Sequence, residues 1–225
     1  MTFSVVARCA ETGQLGIAIS SSSIAVGARC PWLRPGVGAV ASQNITLPSL
    51  GPQILDLLEQ GMTPSEAVAA VFAGQDHRDY RQVTVIDRLG RTAHFSGAQT
   101  LGLHAALSGE QCVAAGNMLA NPGVIAAMVG AFENASGHLA DRLLAAMHAG
   151  QALGGEAGPV HSAALVVVDD LLWPIVNLRV DWADAEPIGV LDQLWQAYRG
   201  QLQDYLDRAL HPHIAPGYAV PGDDR

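Results

Sequence analysis

Short runs of apolar and small residues without a polar face constrain this chain more than any other feature. Residues 2–8 (TFSVVAR), 15–20 (LGIAIS), 36–43 (GVGAVASQ) and 163–168 (AALVVV) each read as a strand. Small residues on both faces suit strands packed closely between other layers and not a sheet open to water. A hairpin turn signal, Glu11-Thr12-Gly13-Gln14, joins the first two, and the polar run Ser20–Ser23 leads into Ile24–Val26. Helical patterns then come in pairs. The first spans Leu50 to Gln60, and the second opens at Thr63-Pro64-Ser65-Glu66, with Thr63 as N-cap and Pro64 at the first helical position. A hairpin with arms Gln82–Asp87 and Thr92–Ser96 and a strand over Gln111–Gly116 follow. A second helix pair is expected from Asn121-Pro122 to Phe132 and from His138 to Ala149.

After the loop Gly154–Pro159 come paired strands, Ala163–Val168 and Ile175–Val180, and one long amphipathic helix from Glu186-Pro187 to about Leu210. Strand runs separated by helix pairs predict an α+β domain and not alternating βαβ units. Two stacked, mainly antiparallel sheets with helices on both outer faces, a four-layer αββα sandwich, account for the apolar strands. One domain is expected over 1–210, with an extended tail over 211–225 rich in Pro, Gly and charge.

Composition removes several kinds of chemistry. The 225 residues are 49% hydrophobic, enough for a full core, yet no stretch approaches ~20 uninterrupted apolar residues, so no membrane partner is expected. Net charge is -9, and all 12 basic residues are arginine. A negative, lysine-free chain is ill suited to a phosphate backbone, and nucleic acid is not an expected partner. Lysine's absence also rules out Schiff-base chemistry, a P-loop lysine and a Ser–Lys dyad. Three cysteines without ligand spacing, and no basic-then-apolar leader, predict reduced thiols in a cytoplasmic protein. The eight histidines show no metal-binding spacing, so neither metal nor cofactor is expected. His161 and Ser162 are adjacent on a strand and face opposite ways, which argues against a dyad.

Thr2 is the candidate for chemistry. Without Met1 it carries a hydroxyl and a free α-amine on one residue, and that amine, with a pKa of roughly 7.7–8.0, can take the hydroxyl proton near neutral pH. With Met1 attached its nitrogen is an amide and cannot act as a base. The alternative is an ordinary strand threonine.

The segments TFSVVAR-x-x-ETG-x-LG-x-A, S-x-x-x-AVGAR-x-PW-x-R-x-GVGAVASQ and GNMLANPGV resemble the domain of unknown function 1028 family, placed with the N-terminal nucleophile (Ntn) hydrolases. The resemblance runs to about Leu194. It implies an αββα fold and puts Thr2, after methionine loss, at the nucleophile position. The chain departs from the pattern at Thr46-Leu47-Pro48 and Leu50, and at Gly158-Pro159-Val160-His161, both in loops expected to line the pocket.

That chemistry needs an oxyanion donor, for which Asn117 is the candidate, with Gly116 bringing its backbone close; a strand-ending turn is the alternative role for Asn117. Among Ser20–Ser23, Ser21 is the expected orienter of the terminal amine. Arg29 is the candidate for the cationic role that lysine plays in some relatives, and Gln43 and Asn44 for the pocket mouth. The reading is an amidohydrolase acting on a small acylated amine or peptide-like amide, a small-molecule substrate. A catalytically silent Ntn-fold protein that binds a metabolite or assembles with partners is the alternative. Apolar residues along the last helix (Leu191, Leu194, Trp195, Tyr198, Leu202, Tyr205, Leu206) suggest a homodimer contact, with packing on its own sheet as the other option.

Overall fold

The β-branched and small-residue runs become strands wherever they can be covered on both faces. The structure, a computed structural model, describes residues 1–223. Among them are ten strands and six helices. The strands are β1 (Thr2–Arg8), β2 (Leu15–Ser21), β3 (Pro31–Arg34), β4 (Gly38–Asn44), β5 (Arg81–Asp87), β6 (Thr92–Ser96), β7 (Ala105–Gly109), β8 (Cys112–Asn117), β9 (Ser162–Val168) and β10 (Val176–Val180). The helices are α1 (Leu50–Glu59), α2 (Pro64–Ala73), α3 (Val124–Asn134), α4 (Leu139–Ala152), α5 (Pro187–Arg199) and α6 (Leu202–Leu210). None is long and apolar enough to cross a membrane.

One sheet has six strands in the order β10-β9-β2-β1-β8-β7, the other four in the order β3-β4-β5-β6, and the ladders are antiparallel. Period-2 alternation sorts each strand's residues between two cores. Phe3, Val5, Ala7, Ala114, Leu165 and Val167 point outward against α3, α4 and α5, where Met128, Phe132, Leu143 and Trp195 fill the layer. Val6, Ile17, Ile19, Val113 and Ala164 point inward against Ala39, Ala41 and Ile86 of the other sheet. Val40, Val83 and Val85 meet Leu50, Ile54 and Phe72 of α1 and α2 on the remaining face. This is the αββα sandwich expected from the order of elements. Burying each large side chain contributes roughly 1.5–3 kcal/mol, so three apolar layers supply most of the driving force.

The Thr63–Glu66 capping box forms as read, with each side chain bonded to the other's backbone N–H. Several local expectations need correction. The helix after Glu186 is not continuous: α5 ends at Arg199, Gly200 caps it, and α6 restarts at Leu202. A glycine inside a helix costs about 1 kcal/mol, and here it marks the break. Leu191 and Trp195 are buried, Tyr198, Leu202 and Leu206 pack partly on the same core, and Leu194 and Tyr205 remain exposed. Among the described residues of the tail, 216–218 fold back on α6, where Arg208 donates to the Pro216 and Gly217 carbonyls and stacks over Tyr218. α3 begins at Val124 and not at Asn121, whose side chain instead accepts the Gly123 N–H in a turn. Ile24–Val26 turns into a short 3-10 segment, Val26–Ala28. β3 and β7 had no expectation; β3 opens on Pro31 at a sheet edge, where a missing N–H leaves no ladder bond unmade.

Candidate functional site

The layer between the sheets is apolar at one end and polar at the other. Along β1 the inward residues run Val6, Ser4, Thr2; along β2, Ile17, Ile19, Ser21; along β8, Val113, Ala115, Asn117. Opposite them β4 runs Ala39, Ala41, Gln43 and β5 runs Ile86, Thr84, Gln82. Register brings these polar ends together: Thr2 pairs with Asn117, and Gln43 with Gln82.

Hydrogen bonds then cross the interior. Ser4 Oγ donates to Gln43 Oε1 at 2.7 Å, and Gln43 Nε2 donates to Gln82 Oε1 at 2.8 Å. Asn117 Nδ2 donates to the same Gln82 oxygen at 3.0 Å. Gln82 Nε2 in turn reaches Ser96 Oγ at 3.0 Å and the Gly116 carbonyl at 3.1 Å. The Gly116 carbonyl accepts only, which fixes the orientation of the Gln82 amide and, through it, those of Gln43 and Asn117. Asn117 is thereby left with one uncommitted Nδ2 proton and a buried Oδ1 that has no partner.

Thr2 lies at the open end of this network, 5% exposed, with Asn117 fully buried beside it. Thr2 Oγ1 is 3.2 Å from Ser21 Oγ, and both hydroxyls donate to the Met1 carbonyl. Ser21 Oγ also accepts the Ser23 N–H at 3.1 Å, which leaves its own proton for Met1. The Met1 side chain packs against Gly158: a Cβ there would come within 3.0 Å of Met1 Cε. Met1 therefore covers Thr2, and in this form the Thr2 nitrogen is an amide.

One residue of the site had no signal in the strand or turn patterns. Glu156 is 4% exposed and sits in the glycine-rich connection after α4. Its backbone bridges to Leu119, flanked by Ala120 N–H to Gly155 O and Ala157 N–H to Met118 O, both at 2.9 Å. Its Oε2 accepts the Ser22 N–H at 3.3 Å, while Oε1 is buried without a partner. Burial pushes the carboxyl up to about 7, opposed by the terminal amine and by Ser22. Gln82 and Ser4 were also unmarked in advance. Their one visible signal is a polar residue at an inward position of an otherwise apolar strand.

The other candidates lie at the rim or are committed to backbone. Asn44 ends β4 in the left-handed region, at φ 70°; its Nδ2 donates to the Tyr80 carbonyl and its Oδ1 accepts the Leu101 N–H, so it ties two loops together. Arg29 turns back on its own loop, donating to the Ile24 and Ala25 carbonyls. Gly116 faces the outer layer, where a Cβ would press on Leu119 and Phe3. His161 stacks on Trp182 at 4.3 Å and bonds the Ala183 carbonyl, while Ser162 donates to the Ser23 carbonyl, so the two do not meet. Among the described residues no three His, Cys, Asp or Glu side chains gather where they could hold a metal. A cleft of about 280 Å³ lies at the apolar end between β3 and β9, but its one ionisable lining residue, Arg179, is held by Asp181.

No curated protein matches the chain. It is similar to protein SPO2555 from Silicibacter pomeroyi, 34% identical over 91% of this chain and 89% of that one, with a TM-score of 0.84. Looser likenesses reach Anbu (ancestral beta-subunit) from Yersinia bercovieri, 12% identical over 97% and 100% of the two chains with a TM-score of 0.37. An Anbu (Gly-1) mutant from Hyphomicrobium sp. strain MC1 is 14% identical over 89% and 96%, with a TM-score of 0.39. At those scores neither Anbu likeness bears on the site. The family described as "Family of unknown function (DUF1028)" matches residues 2–191, and SPO2555 is solved under the same family heading. On that match and that identity, the chain belongs to the DUF1028 family.

Proposed function

We propose that this chain, once Met1 is removed, is an N-terminal-nucleophile amidohydrolase that cleaves a small acylated amine or peptide-like amide. The observation that carries the reading is the carbonyl held at Thr2: the Met1 carbonyl receives both the Thr2 and the Ser21 hydroxyls inside a buried polar layer. A substrate carbonyl in the place that Met1 vacates meets the same two groups. Thr2 Oγ1 attacks its carbon, the Thr2 α-amine takes the hydroxyl proton, and the C–N bond breaks as that proton passes to the leaving amine. Water then cleaves the acyl ester on Oγ1 and regenerates the hydroxyl. Ser21 Oγ, oriented by the Ser23 N–H, donates to the developing oxyanion, and Asn117 adds its uncommitted Nδ2 proton. A preorganised donor of this kind is worth about 3–4 kcal/mol of barrier.

One observation favours a silent binder instead. With Met1 attached, Thr2 is covered and its nitrogen cannot act as a base. Intact mass of the protein from its native host separates the two: the enzyme requires a chain beginning at Thr2, and quantitative retention of Met1 sinks it. On the Thr2-first chain, Thr2→Ala is expected to lower amide hydrolysis by at least about a thousandfold. Full activity in that variant would remove Thr2 from the chemistry.

A further inference from the structure

Glu156 lies across the head of a strand that carries the chain terminus. In the six-stranded sheet β1 runs between β2 and β8. The backbone of Glu156 is fixed beside Leu119, just past the end of β8, and its carboxyl reaches the Ser22 N–H, just past the end of β2. The side chain therefore spans the gap from which β1 starts. Met1 packs on the same segment two residues on, at Gly158. The carboxyl faces the Ser22 N–H, past the end of β2, and feels the charge of the terminal amine, while the backbone on either side of it is held by Met118 and Ala120, past the end of β8; neither Ser22 nor those two residues titrates.

We infer that Glu156 is the positioning residue for the Thr2 α-amine, its free carboxylate oxygen taking up that amine when Met1 is removed. A carboxylate oxygen buried without a donor is expensive to leave unpaired. The Met1-bearing chain supplies none at Oε1. Removal of Met1 replaces an amide by a group with up to three N–H bonds at the head of β1. Asn117, opposite Thr2 in the ladder, adds a second unpaired acceptor, Oδ1. Held between them, the amine keeps its position relative to Thr2 Oγ1. The inference rests on the proposed role of Thr2 only through removal of Met1, since ion pairing is measurable in a chain that hydrolyses nothing.

The test compares two forms of the wild-type chain, Met1-bearing and Thr2-first, by ¹³C NMR titration of the Glu156 carboxyl. In the first form burial pushes the carboxyl up to about 7, the starting point of the comparison. In the second it is expected to fall by about one pH unit or more as the ammonium comes into contact. An unchanged or higher value overturns the proposal. In the Thr2-first chain, Glu156→Gln is expected to lower the α-amine pKa by a similar amount, and Glu156→Asp to restore part of it. A purely structural Glu156 would leave the amine's titration where it was. Absence of hydrolysis with both shifts present would reject the enzyme reading and leave the positioning role standing; hydrolysis without the shifts would do the reverse.

Discussion

Gln82 uses all of its hydrogen-bonding capacity inside the molecule, accepting from Gln43 and Asn117 and donating to Ser96 and the Gly116 carbonyl. Replacing it by leucine of similar bulk takes a bond from the buried Gln43 and Asn117 side chains and from the Gly116 carbonyl, and burial leaves no water to replace it. Gln82→Leu is expected to cost about 3 kcal/mol or more, read as a lower urea midpoint with little change in slope. Glu156 makes a second residue-scale prediction. Its carboxyl rises from 4.5 to about 7 in the Met1-bearing chain, so between those values the folded state holds more protons than the unfolded state. Its contribution to stability is therefore fully present below the unfolded value and is lost as pH rises through the folded one. Glu156→Gln is expected to match the wild type near pH 4 and to exceed it by up to about 3 kcal/mol at pH 8, by denaturant titration at both pH values. The opposite ordering at pH 8 would mean that the carboxyl is already well paired.

At the scale of elements, α5 and α6 show how a periodic pattern misleads. The apolar positions from Leu191 to Leu206 continue without a gap, yet the helix breaks at Gly200. Gly200 has φ −71°, which any residue adopts, and a Cβ there would meet nothing within 4 Å. Gly200→Ala is accordingly expected to stabilise the chain by about 0.4–1 kcal/mol, as a rise in melting temperature. Most strands were legible because their runs are apolar and bounded by turn residues, and the Thr63 cap was legible because its signature is local. β3 was not: four residues that begin with proline and end with arginine read as a loop until a neighbouring strand pairs with them. The site divides in the same way. Thr2 stands out by its place next to Met1, and Ser21 as one of the run Ser20–Ser23, whose inward face only the paired sheet reveals. Glu156 takes its meaning from a bridge to Leu119 and a bond to Ser22, contacts 37 and 134 residues away in sequence that no local pattern encodes.

The whole molecule keeps its apolar and polar functions at opposite ends of one interior. From the Ile17 and Val113 end the two sheets meet through hydrocarbon; at the Thr2 end they meet through amides and hydroxyls. Because every one of the 12 basic residues is arginine, the α-amine is the one primary amine of the entire chain. Acetic anhydride is therefore expected to add a single stable N-acetyl group per molecule, read by intact mass, and the pH dependence of that rate reports the amine's titration without lysine background. A second stable adduct on nitrogen would contradict it. The covered head of β1 also bears on how such a protein can be handled. An affinity tag fused ahead of Met1 has to leave through the passage that Met1, Gly158 and the Glu156 loop close. None of the described residues after α5 is buried, so a tag carried on that side leaves the interior undisturbed.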